Sequence, residues 1–211
     1  MLAGPFYFGA DKAEHAGRPV FNLCYYKFMK LRIDKKKLRK IAPTTNPFLS
    51  LARAMIYQQI STKAGDAIYK KFLALFGKKK PSGEAFLNFS IAQLKSAGIS
   101  PQKAGYLKDL SDKFVDKTIN HKNFHKMTDV EVKEHLLQVK GIGPWTADMF
   151  LIFALNRPDI LPVGDLGTRK GFQKAFNLKS LPTEKQMLKL AEPHAGERTN
   201  LTLHLWGILD N

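Results

Sequence analysis

Cysteine is nearly missing from this 211-residue chain. The single Cys24 excludes a disulfide framework, a cysteine zinc site and a four-cysteine iron–sulfur cluster. It is compatible with a reducing compartment. Acidic residues are scarce too: 18 Asp+Glu stand against 34 Lys+Arg, a formal net charge of +16. No window approaches the roughly 18 unbroken apolar residues that a membrane span needs, so none is expected. The opening stretch, MLAGPFYFGADKAEHAGRPV, has no basic start and no sustained apolar run, and makes a poor signal peptide. Residues 1–25 read as a loosely ordered tail. Alternating strand segments are also missing.

What is present is an ordinary globular composition, 44% hydrophobic and 25% charged. That suffices to bury a core as one domain or two small lobes. A globular chain this basic usually meets a polyanion, most often nucleic acid. The periodicity is helical nearly throughout, which predicts an all-α fold with short connections. One or two amphipathic helices are expected over 47–77, followed by a basic loop containing Lys78, Lys79 and Lys80. Capping-box pairs Ser90/Gln93, Thr128/Glu131 and Thr183/Gln186 mark three helix starts. Further helices are expected over 101–116, 144–156, 165–176 and 198–209. A second charge run, Lys35, Lys36, Lys37, Arg39 and Lys40, reads either as a solvated face or as a phosphate-binding or localisation segment. His121 and His125 lack the acid or cysteine neighbours of a metal site.

The most informative stretch is VKGIGPWTADMFLIFALNRPDILPVGD, residues 139–165. Gly141 and Gly143 allow a sharp turn and a close backbone approach. Pro144 suits the first turn of the next helix, whose free N–H groups and positive dipole end can receive a phosphate. Lys140 sits on the same hairpin, and Ile142 would plug it into the core. On the glycines alone, a plain helical hairpin is equally consistent.

These residues carry a family resemblance. GIGPWTA followed by PVGD is similar to the helix-hairpin-helix/Gly-Pro-Asp DNA glycosylases, and most to their alkylpurine (3-methyladenine) branch. AMIYQQISTKAGDAIYKKFLALFG, GISPQKAGYLKDLSDKF and RTNLTLHLW follow the family order, so the likeness covers about residues 45–210. It implies two helical lobes around a cleft, with residues 26–54 plus 166–211 in the terminal lobe, 55–165 in the central lobe and the helix-hairpin-helix at 128–156. A damaged nucleotide would flip into the cleft.

The resemblance also assigns roles. Asp165 would be the catalytic carboxylate, stabilising positive charge on the sugar; as a helix N-cap it has an equally simple structural reading. Gly141, Ile142, Gly143, Trp145, Thr146 and Lys140 would meet the DNA backbone. Trp145 stands where strand-cleaving members carry lysine, so lyase activity is not expected; it reads as a pocket wall or a core tryptophan. Gln58, Gln59, Ser61, Met149 and Glu197 would line the cleft, and Ile99 and Ser100 would wedge into the duplex. Backbone carbonyls of Leu137, Val139 and Gly141 would hold a Na or K ion, with no other cofactor. Met149 and the Gly196-Glu197 pair stand where relatives place aromatics, so the base clamp looks altered.

The implied function is a monofunctional glycosylase of base excision repair, excising alkylated purines from damaged double-stranded DNA. The alternatives are an abasic-site or lesion-binding protein on the same scaffold and a bare helix-hairpin-helix DNA-binding module. A monomer without membrane association is expected, nuclear in a eukaryote and otherwise cytoplasmic.

Overall fold

The computed structural model describes residues 30–38 and 40–209; the expected tail, Cys24 and Arg39 lie outside them. Among the described residues there is no strand. The α-helices are α1 Pro47–Tyr57, α2 Thr62–Ala74, α3 Gly83–Phe86, α4 Ile91–Ser96 and α5 Pro101–Val115. They continue with α6 Asp129–Leu137, α7 Pro144–Phe153, α8 Leu166–Ala175, α9 Glu184–Leu190 and α10 Arg198–Gly207. Short 3-10 segments lie at Lys35–Lys37, His121–Lys126 and Glu192–His194. No helix among the described residues is long and apolar enough to cross a membrane.

Local chemistry sets the helix ends. All three capping boxes close reciprocally, at Ser90/Gln93, Thr128/Glu131 and Thr183/Gln186. Asn46 caps α1 by accepting from the Leu49 N–H at 3.0 Å. At the other end of α1, the Lys103 ammonium donates to the carbonyls of Ile56 at 2.6 Å and Gln58 at 2.8 Å. These are carbonyls that a helix C-terminus leaves without intrahelical partners. The 47–77 segment therefore divides in two, with Gln59 at φ +59° in the joint. Asn156, at φ +52°, lies beyond the last turn of α7, which is why that helix stops short of 156.

Two apolar clusters organise the chain. The larger collects α1 to α7, including Phe48, Leu51, Met55, Phe72, Leu107, Leu136 and Leu151. The smaller joins Phe172, Phe176, Met187, Leu190, Leu201 and Leu205 of α8 to α10, with Leu31 and Ile33 packed on it. The lobe boundary expected at residue 54 does not hold. Phe48, Leu51, Ala52, Met55 and Ile56 form one i, i+3, i+4, i+7, i+8 stripe, and all are buried in the larger cluster. One stripe on one helix faces one core. Burying each of its larger side chains is worth about 1.5–3 kcal/mol. The N-terminal part of the smaller lobe is instead the segment carrying Leu31 and Ile33, tied down by the Leu31 N–H donating to His194 Nε2 at 3.1 Å. His194 is fully buried. His121 stacks on Phe114, with centroids 5.0 Å apart.

The smaller lobe depends on a glycine. A Cβ at Gly171 of α8 would lie 2.7 Å from both the Cβ and the carbonyl oxygen of Leu205 in α10. Gly171→Ala must push these helices apart. We expect a loss of about 1–3 kcal/mol, read as a lower urea midpoint with an unchanged m-value.

Candidate active site

The helices α6 and α7 and their joint form the hairpin. Gly141, at φ +83°, has Tyr106 so close that a Cβ would lie 2.3 Å from its ring. Ile142 is buried, as its plug role requires. The Lys140 N–H donates to Asp109 Oδ2 at 2.9 Å, while Asp109 pairs with Lys113 at 2.7 Å. Burial raises the Asp109 pKa, but these donors and cations outweigh it and hold the carboxyl below its ordinary value. Gln58 donates from Nε2 to the Gly141 carbonyl at 2.9 Å and to Thr146 Oγ1 at 3.3 Å. Gln58 thus braces the hairpin from α1. Gly143 supplies no side-chain cap to α7, so no side chain closes that helix N-terminus.

Several expected residues take other positions. Thr146 is buried against Gln58, so its hydroxyl cannot face a DNA backbone. Ile99 is not at a loop tip. Gly98 N–H bonds to Lys95 O and Ile99 N–H to Leu94 O, a Schellman ending that turns Ile99 into the core, where it is buried. Ser100 is occupied as the N-cap of α5, and Ser61 as the N-cap of α2; Gln59 is exposed at the joint between α1 and α2. Glu197 lies outside the cleft. Its carboxylate pairs with Lys35 at 2.7 Å and Lys30 at 3.0 Å, and these ammonium groups hold its pKa down to about 2. Asp148 of α7 is buried and pairs with Lys133 at 2.6 Å. Burial pushes its pKa up despite that partner.

Of the three carbonyls assigned to a cation, Gly141 O accepts from Gln58 and Val139 O from the Ile142 N–H. Each carbonyl has two lone pairs, so each keeps one for an ion. Among the described residues no group of three His, Cys, Asp or Glu side chains is arranged to hold a metal.

The cleft is a cavity of about 670 Å³ between α1 and α7, with Asp165 and Trp206 on its wall. Asp165 is the N-cap of α8, and its two oxygens have unequal surroundings. Oδ2 accepts from the Thr168 N–H at 2.6 Å, Thr168 Oγ1 at 2.8 Å and Trp206 Nε1 at 2.9 Å. Oδ1 accepts from Trp145 Nε1 at 2.9 Å. Burial alone would raise the Asp165 pKa; the four donors outweigh it and keep the carboxyl below its ordinary value. Capping and a site position therefore coincide in one residue.

The sequence did not point to Trp206 as a pocket residue. It lies in α10, 41 residues from Asp165. Gly167 makes room for it: a Cβ there would lie 3.0 Å from Asp165 Oδ2 and 3.2 Å from Trp206 Nε1. Trp206 also stacks on Phe153, with centroids 5.9 Å apart at 17°. Tyr57, Trp145, Met149, Phe153 and Trp206 all line the cavity. The aromatics that the local pattern lacked at Met149 and Gly196-Glu197 are thus supplied from α1, α7 and α10. Arg198 holds the approach to Asp165, donating from Nε to Asp159 Oδ1 at 2.6 Å. Thr199 donates to the Arg157 carbonyl at 2.6 Å.

A hairpin with an open helix N-terminus, leading through a Pro/Gly turn to a fixed carboxylate in an aromatic cleft, is the architecture of base excision. The family model described as HhH-GPD superfamily base excision DNA repair protein matches residues 52–195, and the chain belongs to that superfamily. DNA-3-methyladenine glycosylase 1 of Schizosaccharomyces pombe is 33% identical over 162 residues, which is 76% of this chain and 71% of the relative. The solved structure of the S. pombe 3-methyladenine DNA glycosylase Mag1 with abasic DNA aligns at TM-score 0.72 and 28% identity, over 90% of this chain and 96% of that one. A DNA-3-methyladenine glycosidase from Bacillus halodurans aligns at TM-score 0.75 and 30% identity, over 80% and 78%.

Trp206→Phe keeps the ring and removes one donor from Asp165. Losing that bond should raise the Asp165 pKa and cost about 0.5–1.5 kcal/mol of stability. A group with a depressed folded pKa contributes fully above its unfolded value and loses that contribution as pH falls through the folded one. The loss in acid should therefore be smaller in the variant and complete at a higher pH, measured by denaturation at a series of pH values.

Proposed function

We propose that this chain is a monofunctional DNA N-glycosylase that releases alkylated purines of the 3-methyladenine type from damaged duplex DNA. The observation that carries this reading is the ionised Asp165 carboxylate, fixed by Trp145, Thr168 and Trp206 at the wall of a cleft large enough for a purine. The uncapped start of α7, with Lys140 beside it, supports phosphate binding that carries no sequence information. A nucleotide flipped out of the duplex would bring its base between the α1 and α7 walls and its sugar towards Asp165.

The bond between C1′ and N9 breaks, and its electron pair leaves with the base. Positive charge develops on the sugar, and the carboxylate stabilises it electrostatically. Water then adds to C1′ and loses a proton to solvent, leaving an abasic site. Oδ2 is saturated by three donors, so Oδ1 is the oxygen with a lone pair to direct at the sugar or the water. An N-alkylated purine that carries a positive charge leaves as a neutral base and needs little acid assistance. Trp145 cannot form a Schiff base, so strand cleavage does not follow. No organic cofactor enters this scheme; an ion on the hairpin carbonyls would only steady the turn. A monomer acting on nuclear DNA in a eukaryote, or in the cytoplasm otherwise, completes the proposal.

Single-turnover release of methylated purines tests it. Asp165→Asn should lower the rate about 100- to 1,000-fold while retaining abasic-DNA binding. Tight abasic binding by the wild type without any base release would instead leave a lesion-binding protein. Wild-type release should hold as pH falls through the ordinary carboxylate range and decline only below it, because Asp165 protonates late. Glu197→Gln should leave base release unchanged, since Glu197 pairs with Lys30 and Lys35 away from the cleft.

A further inference from the structure

The charged side chains lining the cleft are Asp165, Arg53 and Lys40. The four donors to the one acid are neutral, so it keeps its charge, and the two cations outnumber it. Ser50, Arg53, Ala54 and Tyr57 recur at i, i+3, i+4 and i+7, so one stripe of α1 forms the wall opposite Trp145, Met149 and Phe153 of α7. Arg53 is exposed and has no acidic partner among the ion pairs of the described residues. Its guanidinium lies 4.9 Å from the centroid of the Tyr57 ring and 5.7 Å from that of Tyr69. It therefore packs on the ring of the one tyrosine in the pocket lining.

We propose that Arg53 is a specificity-determining residue that sets the charge preference of the base pocket. Its guanidinium repels an alkylated purine carrying a formal positive charge. A neutral alkylated purine meets no such repulsion and presents ring nitrogens that can accept from the guanidinium. The pocket thus favours neutral over cationic alkylated purines, relative to the same pocket without Arg53. The inference rests on the excision reading and concerns the relative release of cationic and neutral substrates.

The test compares release of 7-methylguanine, a cation in DNA, with release of 1,N6-ethenoadenine, a neutral alkylated purine, from otherwise identical duplexes. Arg53→Met keeps the aliphatic stem and removes the charge; Arg53→Lys keeps a charge. In Arg53→Met the ratio of cationic to neutral release should rise about three- to tenfold, the size expected for one partly solvated charge near another. Arg53→Lys should keep the ratio close to wild type. Equal loss of both activities in Arg53→Met would overturn the proposal and make Arg53 a phosphate contact. An unchanged ratio would overturn it too.

Failure of the excision reading stays separable, because binding reads the pocket without chemistry. The two tryptophans of the chain, Trp145 and Trp206, both line the cleft, so their fluorescence reports its occupancy. Titration with 7-methylguanosine and guanosine, in mild acid where the methylated base is charged, gives an affinity ratio. Arg53→Met should shift that ratio towards the methylated nucleoside even if no variant excises a base. No shift would overturn the proposal.

Discussion

The Asp165 carboxylate is where the molecule closes on itself. Its donors come from α7, α8 and α10, so one ionised group joins the hairpin to both helices of the smaller lobe that reach the cleft. A carboxylate taken partly out of water is unfavourable unless donors replace its hydration. Here they do, and they also fix the direction of each oxygen. The same bonds that make the group affordable in a cleft hold it ready for charge developing on a sugar. The bonds that order the site are therefore also bonds that tie the smaller lobe to the hairpin.

Charge is managed in a similar way across the surface. Six of the scarce acids pair with cations of the chain: Asp109 with Lys113, Asp112 with Lys108, Asp148 with Lys133, Asp129 with Arg157, Asp159 with Arg198, and Glu197 with Lys30 and Lys35. Exposed pairs of this kind add little stability. Their effect is on location: the acids are held beside particular cations, and the excess of +16 remains for the solvent side. An excess of that size attracts a polyanion over distances comparable to the screening length.

Much of this was legible in the sequence because it is local. Capping boxes, the Gly-Ile-Gly-Pro joint, the buried stripe of α1 and the place of Asp165 at a helix start are each set by residues within about one or two turns. Apart from Ser61 and Ser100, which cap their own helix starts, the misplaced residues have long-range causes, with one exception. Glu197 turns outward because Lys30 and Lys35 arrive from the other end of the chain. Thr146 is buried because Gln58 reaches across from α1. Trp206 joins the site only when α8 and α10 pack, which no local pattern announces. Ile99 is the exception: a Leu at 94, with Gly98 and Ile99 after the helix, is itself the signature of a Schellman ending and of a buried Ile.

Gly167 limits how this scaffold can diversify. A Cβ there would crowd Asp165 and Trp206 at 3.0–3.2 Å, and Gly171, one turn later, has no space for one against Leu205. The α8–α10 side of the cleft is therefore tightly constrained at the positions nearest the chemistry. The α1 side is open: Ser50, Arg53 and Ala54 line the cleft without bonds to Asp165. Changes of substrate range on this architecture are channelled to that wall, where a side chain can vary without disturbing the carboxylate.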